Sequence, residues 1–396
     1  MQKTKVLVPS GVLGLGFDNN AFENGLKLSP DIISIDGGST DSGPFSLGTG
    51  TSKYSRSSIK SEWKTLMIGR AKLNIPLIIG SCGTCGTNNM VDWMEEITIE
   101  IATELNQKLK IAKLYCEISK KELKKKFKNK QIYQLDPPVL LNEDKIDRMT
   151  HIVALAGAEQ IQNAIKTDAD IILAGRTTDT AIISALPLMK GANLGSSWHG
   201  AKVAECGALC STDPTSGVVM IEFDKKGFIV FPTSKNAKCT PYTVSAHMLY
   251  ENSDPFKLYE PGGYMDVSEA TYKALDYKKV IVTGAKWFKD KNYFVKLEGA
   301  QISGYQTSSL ILIRDKKYVN NIEKWTSKLK KFLCKEINKR MSLSLKDYNL
   351  QFRHIGKNAT LGDLENKKNE LTEVGVLCIV TANKHDISIE ITKLIN

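Results

Sequence analysis

The sequence predicts an α/β fold: a largely parallel sheet with flanking helices in the N-terminal half, followed by a smaller β-rich α+β region. Strand-like apolar runs occupy residues 5–9, 31–35, 75–80 and 170–174, and each ends in a glycine-rich loop followed by a helix-like stretch. Because parallel strands joined by helices end at one edge of their sheet, these loops are expected to meet there.

Three regions are expected along the chain. Residues 1–211 contain the strand-loop-helix units and are predicted to form the α/β domain. Residues 212–312 are rich in β-branched and aromatic residues and include a hairpin signal at 224–227. Residues 313–396 combine a long helical stretch with a further strand and are expected to form an α+β C-terminal region.

Composition indicates an ordinary globular protein. The 396 residues are 42% hydrophobic and 24% charged, and neither a signal-like N-terminus nor an apolar run of membrane-spanning length is evident. We therefore expect a cytoplasmic location and no membrane partner. The eight dispersed cysteines fit reduced thiols. The net charge of +11 comes largely from lysine-rich stretches typical of solvated faces, and no nucleic-acid-binding motif accompanies it.

The loop after the second strand is the most unusual stretch of the chain. It combines glycines, hydroxyls and two carboxylates in the run Asp36-Gly37-Gly38-Ser39-Thr40-Asp41-Ser42. Glycines allow a sharp turn and close approach to a ligand. A tight turn in which the aspartates bond nearby amides is the structural alternative. If a divalent cation is bound, its predicted ligands are Asp36 and Asp41.

Two further loops share this composition. The third strand runs into Ser81, Gly83 and Thr84, whose small side chains are expected to line a pocket, and a metal or redox role for Cys82 and Cys85 is the alternative. The strand at 170–174 runs into Arg176-Thr177-Thr178-Asp179, in which the arginine suits a carboxylate or phosphate. The alternative there is a helix N-cap with Arg176 bridging Asp179.

A helix is predicted to follow at about residues 198–206. It places His199, Lys202 and Cys206 on one face. A histidine and a lysine near three polar loops can act as a general acid and base, although a single histidine is more often structural.

Several separated motifs together resemble the N-terminal domain of the acyclic terpene utilisation protein family. They are residues 36–43, residues 175–181 and the stretch from Trp198-His199 through Glu205-Cys206. The resemblance extends over most of the chain. It implies breakdown of branched acyl-CoA or carboxylate compounds, hence an acidic substrate. It also leads us to expect a short C-terminus, with a separate small subunit or a homo-oligomer as the assembly.

Together these features predict a lyase or hydratase of small-molecule catabolism. The predicted catalytic residues are His199, Lys202, Asp36 and Asp41. The predicted substrate-binding residues are Gly37, Gly38, Ser39, Thr40, Ser42, Ser81, Gly83, Thr84, Arg176, Thr177, Thr178, Asp179 and Glu205. The cofactor is left open, with a divalent cation as one candidate. The alternatives are a non-catalytic subunit that binds acyl-CoA or a partner, and a thiol hydrolase using Cys206 or Cys210.

Overall fold

A computed structural model describes residues 3–366 and 370–395 of the chain. These residues form two compact units, the first ending at Gln301 and the second beginning at Ile302. Each unit has its own sheet and its own apolar core.

The strands of the first unit are β1 (Thr4–Val8), β2 (Ile32–Asp36), β3 (Leu77–Gly80), β4 (Ile111–Leu114), β5 (Met149–Ala154), β6 (Ile171–Ala174), β7 (Val219–Phe223), β8 (Gly227–Pro232), β9 (Lys257–Glu260), β10 (Gly263–Asp266), β11 (Thr271–Ala274), β12 (Val280–Thr283), β13 (Lys286–Lys289) and β14 (Leu297–Gln301). Those of the second unit are β15 (Tyr305–Ile313), β16 (Tyr348–Ile355) and β17 (Val374–Ala382).

The α-helices of the first unit are α1 (Asn19–Leu26), α2 (Phe45–Thr49), α3 (Arg56–Leu73), α4 (Asn88–Glu104), α5 (Lys120–Lys128), α6 (Glu143–Arg148), α7 (Ala158–Ile165), α8 (Asp179–Met189), α9 (Leu194–Ala204) and α10 (Pro241–Ala246). Those of the second unit are α11 (Lys316–Val319), α12 (Ile322–Met341) and α13 (His385–Ile395).

A mixed sheet organises the first unit, with strand order β11-β12-β8-β7-β1-β2-β3-β6-β4. The run from β1 to β4 is parallel, and the run from β11 to β1 is antiparallel. The boundary expected at residue 211 falls inside this unit, because β7 pairs with β1 in the same sheet, with Val6 opposite Ile221. The predicted fold class, a largely parallel sheet with helices and smaller β-rich parts, is confirmed.

The two faces of this sheet carry separate apolar layers. Side chains alternate along β1, so that Val6 and Val8 pack with helices α7, α8 and α9. Leu7 lies on the other face with α1, α3 and α4. The parallel strands are therefore covered on both sides, which explains why their sequences are almost continuously apolar.

Short polar side chains fix where the helices begin. Asp18 accepts from the backbone N–H groups of Asn20 and Ala21 at the start of α1, and Thr178 accepts from Ala181 at the start of α8. Asn193 does the same for α9. Each cap satisfies an N–H that has no partner within the helix.

Three elements differ from the sequence-based expectation. The alanines and the glycine within residues 152–166 predict one helix there, but β5 occupies the first part because it pairs with the distant β14. The polar, glycine-rich residues 261–266 predict a turn, yet β10 forms there between β9 and β13. The strand β16 had no predicted counterpart and pairs with β17. The partners of β5 and β16 lie outside their own sequence neighbourhood, whereas β10 pairs with the adjacent β9 as well as with β13. Local propensity carries little information about these pairings.

The second unit is a small α+β structure. Its sheet has the order β15-β17-β16 and is antiparallel. Leu333 and Ile337 of α12 and Ile391 of α13 pack on its strands. Within the described residues, no helix has both the length and the apolar character that crossing a bilayer requires.

Candidate active site

The loops after β2, β3 and β6 lie side by side at the carboxyl edge of the parallel strands. The N–H of Gly37 donates to the Gly80 carbonyl at 2.8 Å, and the N–H of Ser81 donates to the Gly175 carbonyl at 2.9 Å. A Cβ at Gly37 would lie 2.5 Å from the Ser81 carbonyl oxygen, so only glycine fits this crossing. The three loops therefore meet as the sequence predicted.

Arg176 is the centre of these loops. Its Nη1 donates to Ser81 Oγ at 2.9 Å, and its Nη2 lies 3.4 Å from Thr40 Oγ1. Its Nε donates to Glu298 Oε2 at 3.0 Å, and the Thr40 hydroxyl donates to the same oxygen at 2.8 Å. One guanidinium thus holds the loops after β2, β3 and β6 and the strand β14 together.

Glu298 is the ionised partner of Arg176. Burial raises the pKa of Glu298, but the Arg176 charge and hydrogen bonds outweigh it and bring the pKa down to about 2. Both side chains are nearly buried. This pair therefore stays charged at neutral pH and has its hydrogen bonds satisfied within the protein.

Asp36 occupies the last position of β2 and is 4% exposed. Its Oδ2 accepts from the Gly38 N–H at 2.8 Å, whereas Oδ1 is buried with no hydrogen-bond partner among the described residues. Burial raises the pKa of Asp36 well above its ordinary value, the Asp179 charge raises it further, and Arg176 lowers it. Asp36 is thus a buried carboxyl that tends to hold a proton and has one oxygen available to a ligand.

The carboxyl end of α9 brings a second cation to the group of buried charged side chains around Arg176, which we call the cluster. Lys202 forms an ion pair with Glu205 one helical turn later, and both side chains are buried. Burial raises the pKa of Glu205 to about 8, although Lys202 lowers it. Burial lowers the pKa of Lys202, but its attraction to Glu205 and Asp179 leaves the pKa raised. The lysine therefore remains cationic.

Glu260 ends β9 and is a further buried acid. It accepts from the Thr180 hydroxyl at 2.5 Å through Oε1, and its Oε2 is buried without a partner among the described residues. Burial raises the pKa of Glu260 to about 7. The charge of Lys202 lowers the pKa of Glu260 and the charge of Asp179 raises it. Glu260 therefore belongs to the same cluster of charged side chains.

Asp41 and Glu251 form the exposed rim of the cluster. Their carboxyl groups share a hydrogen bond, which requires one proton between them, and Tyr250 bonds to Glu251. Burial and this shared bond raise the pKa of Glu251. For Asp41, burial raises the pKa, but hydrogen bonds from Glu251 and Ser39 leave it lowered. Asp41 and Glu251 are thus the solvent-exposed carboxyls of the cluster.

The family model described as acyclic terpene utilisation family protein AtuA matches residues 61–395. The chain belongs to this family. Membership implies a role in acyclic terpene catabolism. No curated protein and no solved structure matches the chain. The matched stretch includes Arg176, Lys202, Glu260 and Glu298, whereas Asp36 precedes it.

His199 occupies a different environment from the acids of this AtuA-family chain. It is fully buried, its Nε2 lies 3.1 Å from the Tyr272 hydroxyl, and its ring meets Phe228 edge to face. Burial lowers the pKa of His199 to about 3. The acid/base role predicted for His199 stays a prediction, and its surroundings favour a structural role, because a neutral, enclosed imidazole exchanges protons poorly at neutral pH.

The remaining predicted binding residues shape the loops. Ser39 accepts from the Asp41 N–H, Ser42 donates to the Ser39 carbonyl, and Thr178 caps α8. Thr84 accepts from the Lys53 N–H, and a Cβ at Gly83 would lie 2.5 Å from the Met90 sulfur. Thr177 differs, because its hydroxyl oxygen is buried with no partner among the described residues.

The cysteines show no environment that favours a nucleophile. Cys82, Cys85 and Cys210 are fully buried. Burial raises the pKa of the half-buried Cys206, and the charges of Glu205 and Asp179 raise it further. A nucleophilic thiol needs the opposite shift, so the thiol-hydrolase alternative gains no support here.

Potential metal ligands meet in one place in the described part of the AtuA-family chain. Ligand atoms of Glu205, Cys206 and His247 lie within 4.8 Å of one another. Asp36 and Asp41, the ligands expected from sequence, are not in this group.

Sequence reasoning missed Glu260, Glu298, Glu251 and His247. All four lie outside the glycine-hydroxyl loops, in segments whose sequences show no local motif. Glu260 reaches the site from β9, which pairs with β10, and Glu298 from β14, which pairs with β5. Glu251 and His247 follow α10 in the chain.

Proposed function

We propose that this AtuA-family protein is a lyase or hydratase that acts on a small carboxylate or acyl-CoA by acid–base catalysis. The supporting observation is the convergence of Asp36, Glu260 and Lys202, all nearly buried, around the loops that Arg176 holds. Carboxyls whose pKa values are pushed apart in one site can serve as acid and base. Here Glu298 is held ionised while Glu260 titrates near neutrality.

Lys202 is the group best suited to receive the substrate's anionic end. Its ammonium has three donors, and the described contacts use one of them, toward Glu205. The N–H groups of Arg176 already have protein acceptors, namely Glu298, Ser81, Thr40 and the Thr177 carbonyl. In this proposal Arg176 supplies positive charge and holds the loops, and Lys202 makes the direct contact.

The proposed chemistry is elimination or addition of water next to a carbonyl. Asp36 accepts the proton from the carbon α to the carbonyl through its unpartnered Oδ1 in the molecules in which it is ionised, and its raised pKa makes that ionised form a strong base. Lys202 stabilises the charge that develops on oxygen. The C–O bond at the β carbon then breaks, and Glu260 gives its proton to the departing hydroxyl, which leaves as water. Addition follows the same steps in reverse.

A ligand screen followed by an exchange assay tests the proposal. Di- and tricarboxylates and acyl-CoA thioesters are screened for a rise in Tm, and hits are incubated in D₂O to follow loss of the α proton by NMR. We expect at least one class to stabilise the wild type and to exchange. Asp36→Asn should still bind but lose exchange by about 10²-fold or more.

Asp31→Asn is the matched control, because Asp31 precedes the same strand at its opposite end and pairs with Lys190. It should exchange like the wild type. Retention of exchange by Asp36→Asn, or absence of any stabilising ligand, contradicts the proposed site. A ligand that binds the wild type without exchange or turnover would favour the non-catalytic binding subunit instead.

A further inference from the structure

The end of α9 and the turn after α10 bring together three side chains of different chemistry. A carboxylate oxygen of Glu205, the sulfur of Cys206 and a ring nitrogen of His247 all lie within 4.8 Å of one another. Glu205 and His247 are buried, and Cys206 is half-buried. The three ligand atoms therefore lie close together, and Cys206 is the most exposed of the three residues.

His247 provides an independent observation that points to a ligand. It is 4% exposed, and its Nε2 is buried with no hydrogen-bond partner among the described residues. A hydrogen bond with the Lys202 backbone holds the imidazole, and the ring stacks on Tyr250 at 5.6 Å. Metal-binding histidines are commonly held in this way through one ring nitrogen while the other binds the ion. A buried imidazole nitrogen without a partner is otherwise unfavourable.

The backbone around the other two residues is fixed. Glu205 continues α9 through the bond from its N–H to the Ala201 carbonyl at 2.9 Å. Gly11 packs against Cys206, since a Cβ at Gly11 would lie 3.0 Å from the Cys206 Cα. Gly207 follows with a φ of +58°, which turns the chain sharply after the thiol. Helix α9, the loop after β1 and the turn after α10 thus position the donors before any ion binds.

We propose that Glu205, Cys206 and His247 bind one divalent transition-metal ion of the zinc class, with a fourth position open to water or a ligand. Imidazole and thiolate with one carboxylate suit this class and do not suit Mg²⁺ or Ca²⁺, which take oxygen ligands. In a tetrahedral zinc site with bonds of about 2.0–2.3 Å, ligand atoms lie roughly 3.3–3.8 Å apart. Because the three ligand atoms lie within 4.8 Å of one another, each pair needs to move closer by about 1.5 Å at most.

Charge balance around the site is compatible with a dication. Lys202 lies next to Glu205, and its positive charge repels a cation. The carboxyls of Asp179, Glu251 and Glu260 lie close enough to raise the pKa of Glu205 or Cys206, and their negative charge attracts a cation. Binding converts the Cys206 thiol to a thiolate and releases its proton to solvent. The inference does not depend on the proposed reaction, because it concerns ion binding alone.

Cobalt titration of the full-length protein tests the inference directly. The purified chain is freed of metal with a chelator and titrated with Co²⁺, whose thiolate charge-transfer and tetrahedral visible absorption bands report the ligand set. We expect one equivalent of Co²⁺ to bind, Zn²⁺ to displace it, excess Mg²⁺ to leave it in place, and Zn²⁺ to raise the Tm.

Single variants identify the ligands. Cys206→Ala should lose the charge-transfer band and the Zn²⁺-dependent rise in Tm, while His247→Gln and Glu205→Gln should each weaken binding by about tenfold or more. Cys334→Ala and His385→Gln are the controls, one a half-buried cysteine and the other an exposed histidine of the second unit, and both should bind like the wild type. If Cys206→Ala does not fold, Cys206→Ser replaces it.

The result that overturns the inference is an unchanged cobalt spectrum in the Cys206 variant, displacement by Mg²⁺, or no stoichiometric binding to the wild type. Asp36→Asn should bind Co²⁺ normally, because Asp36 is not among the three ligands. A failure of metal binding is therefore distinguishable from a failure of the proposed acid–base chemistry.

Discussion

Two buried ion pairs of the first unit differ in how many hydrogen bonds their charged groups receive from the surrounding protein. The Arg176–Glu298 pair has its donors and acceptors engaged by neighbouring loops, and the pKa of Glu298 falls to about 2 despite burial. In the Lys202–Glu205 pair, burial raises the pKa of the carboxyl to about 8. The same two charge types thus give a permanently ionised pair in one place and a titrating pair in the other.

The difference follows from the hydrogen bonds around each carboxyl. Glu298 receives bonds from Arg176 and Thr40 and has Lys296 close by. Glu205 has Lys202 as its partner and lies among other acids, including Asp179 and Glu260. We infer that the first pair holds the loops in place, whereas the second belongs to the part of the cluster that changes protonation. The following variants test whether the two pairs differ in this way.

The largest expected effect comes from removing Arg176. Arg176→Met leaves Glu298 charged and buried without its partner, and we expect the free energy of unfolding to fall by about 3–5 kcal/mol. Chemical denaturation followed by tryptophan fluorescence measures the loss. The matched control is Lys72→Gln, which breaks the exposed pair with Glu23 and should change stability by less than about 1 kcal/mol.

The double variant Arg176→Met/Glu298→Gln separates charge from packing. It should recover part of the lost stability, because the uncompensated carboxylate is removed as well. Equal stability of Arg176→Met and Lys72→Gln would show that this pair does not hold the loops together.

Substitution of Glu260 should have a smaller effect on the free energy of unfolding, and this effect should depend on pH. Burial raises its pKa from 4.5 to about 7. A carboxyl whose pKa is higher in the folded chain stabilises it fully below the unfolded value, and this contribution is lost as pH rises through the folded value. Between about pH 5 and pH 8, the wild type should therefore lose up to about 3 kcal/mol relative to Glu260→Gln.

Unfolding measured at several pH values for both proteins gives this difference directly. Glu23→Gln, at an exposed ion pair, is the control and should show no comparable trend. A difference between wild type and Glu260→Gln that does not change with pH would mean that Glu260 ionises as in the unfolded chain.

Much of the parallel half of the sheet could be predicted from sequence, because its strands are short apolar runs ended by glycines. The strands β1, β2, β3 and β6 are the clearest cases, and their convergence followed from topology alone. The loops carrying Asp36 and Arg176 were found for the same reason.

The partners of those loops could not be predicted. Glu298 comes from β14, which pairs with the distant β5. Glu260 comes from β9, which pairs with the adjacent β10 but contacts the site through Thr180, 80 residues earlier in the chain. Helix periodicity was also misleading at α9, because residues Gly195 through Ala204 are all buried. A helix enclosed on every side has no polar stripe, so the sequence cannot tell which of its side chains face the site.

Substitution of His199 should have the smallest of these effects on stability. It tests whether this side chain of the enclosed helix α9 takes part in the chemistry of the site. His199→Gln removes the ring contacts with Phe228 and Tyr272 and buries an amide in their place, so we expect a loss of about 1–3 kcal/mol in stability. Ligand-induced shifts in Tm and proton exchange should be retained in the folded variant. Tyr272→Phe, which removes the 3.1 Å hydrogen bond alone, should lose about 1 kcal/mol. If His199→Gln instead keeps its stability and loses exchange, the proton carrier lies on α9 at His199, and the assignment of Asp36 and Glu260 as the exchanging pair is wrong.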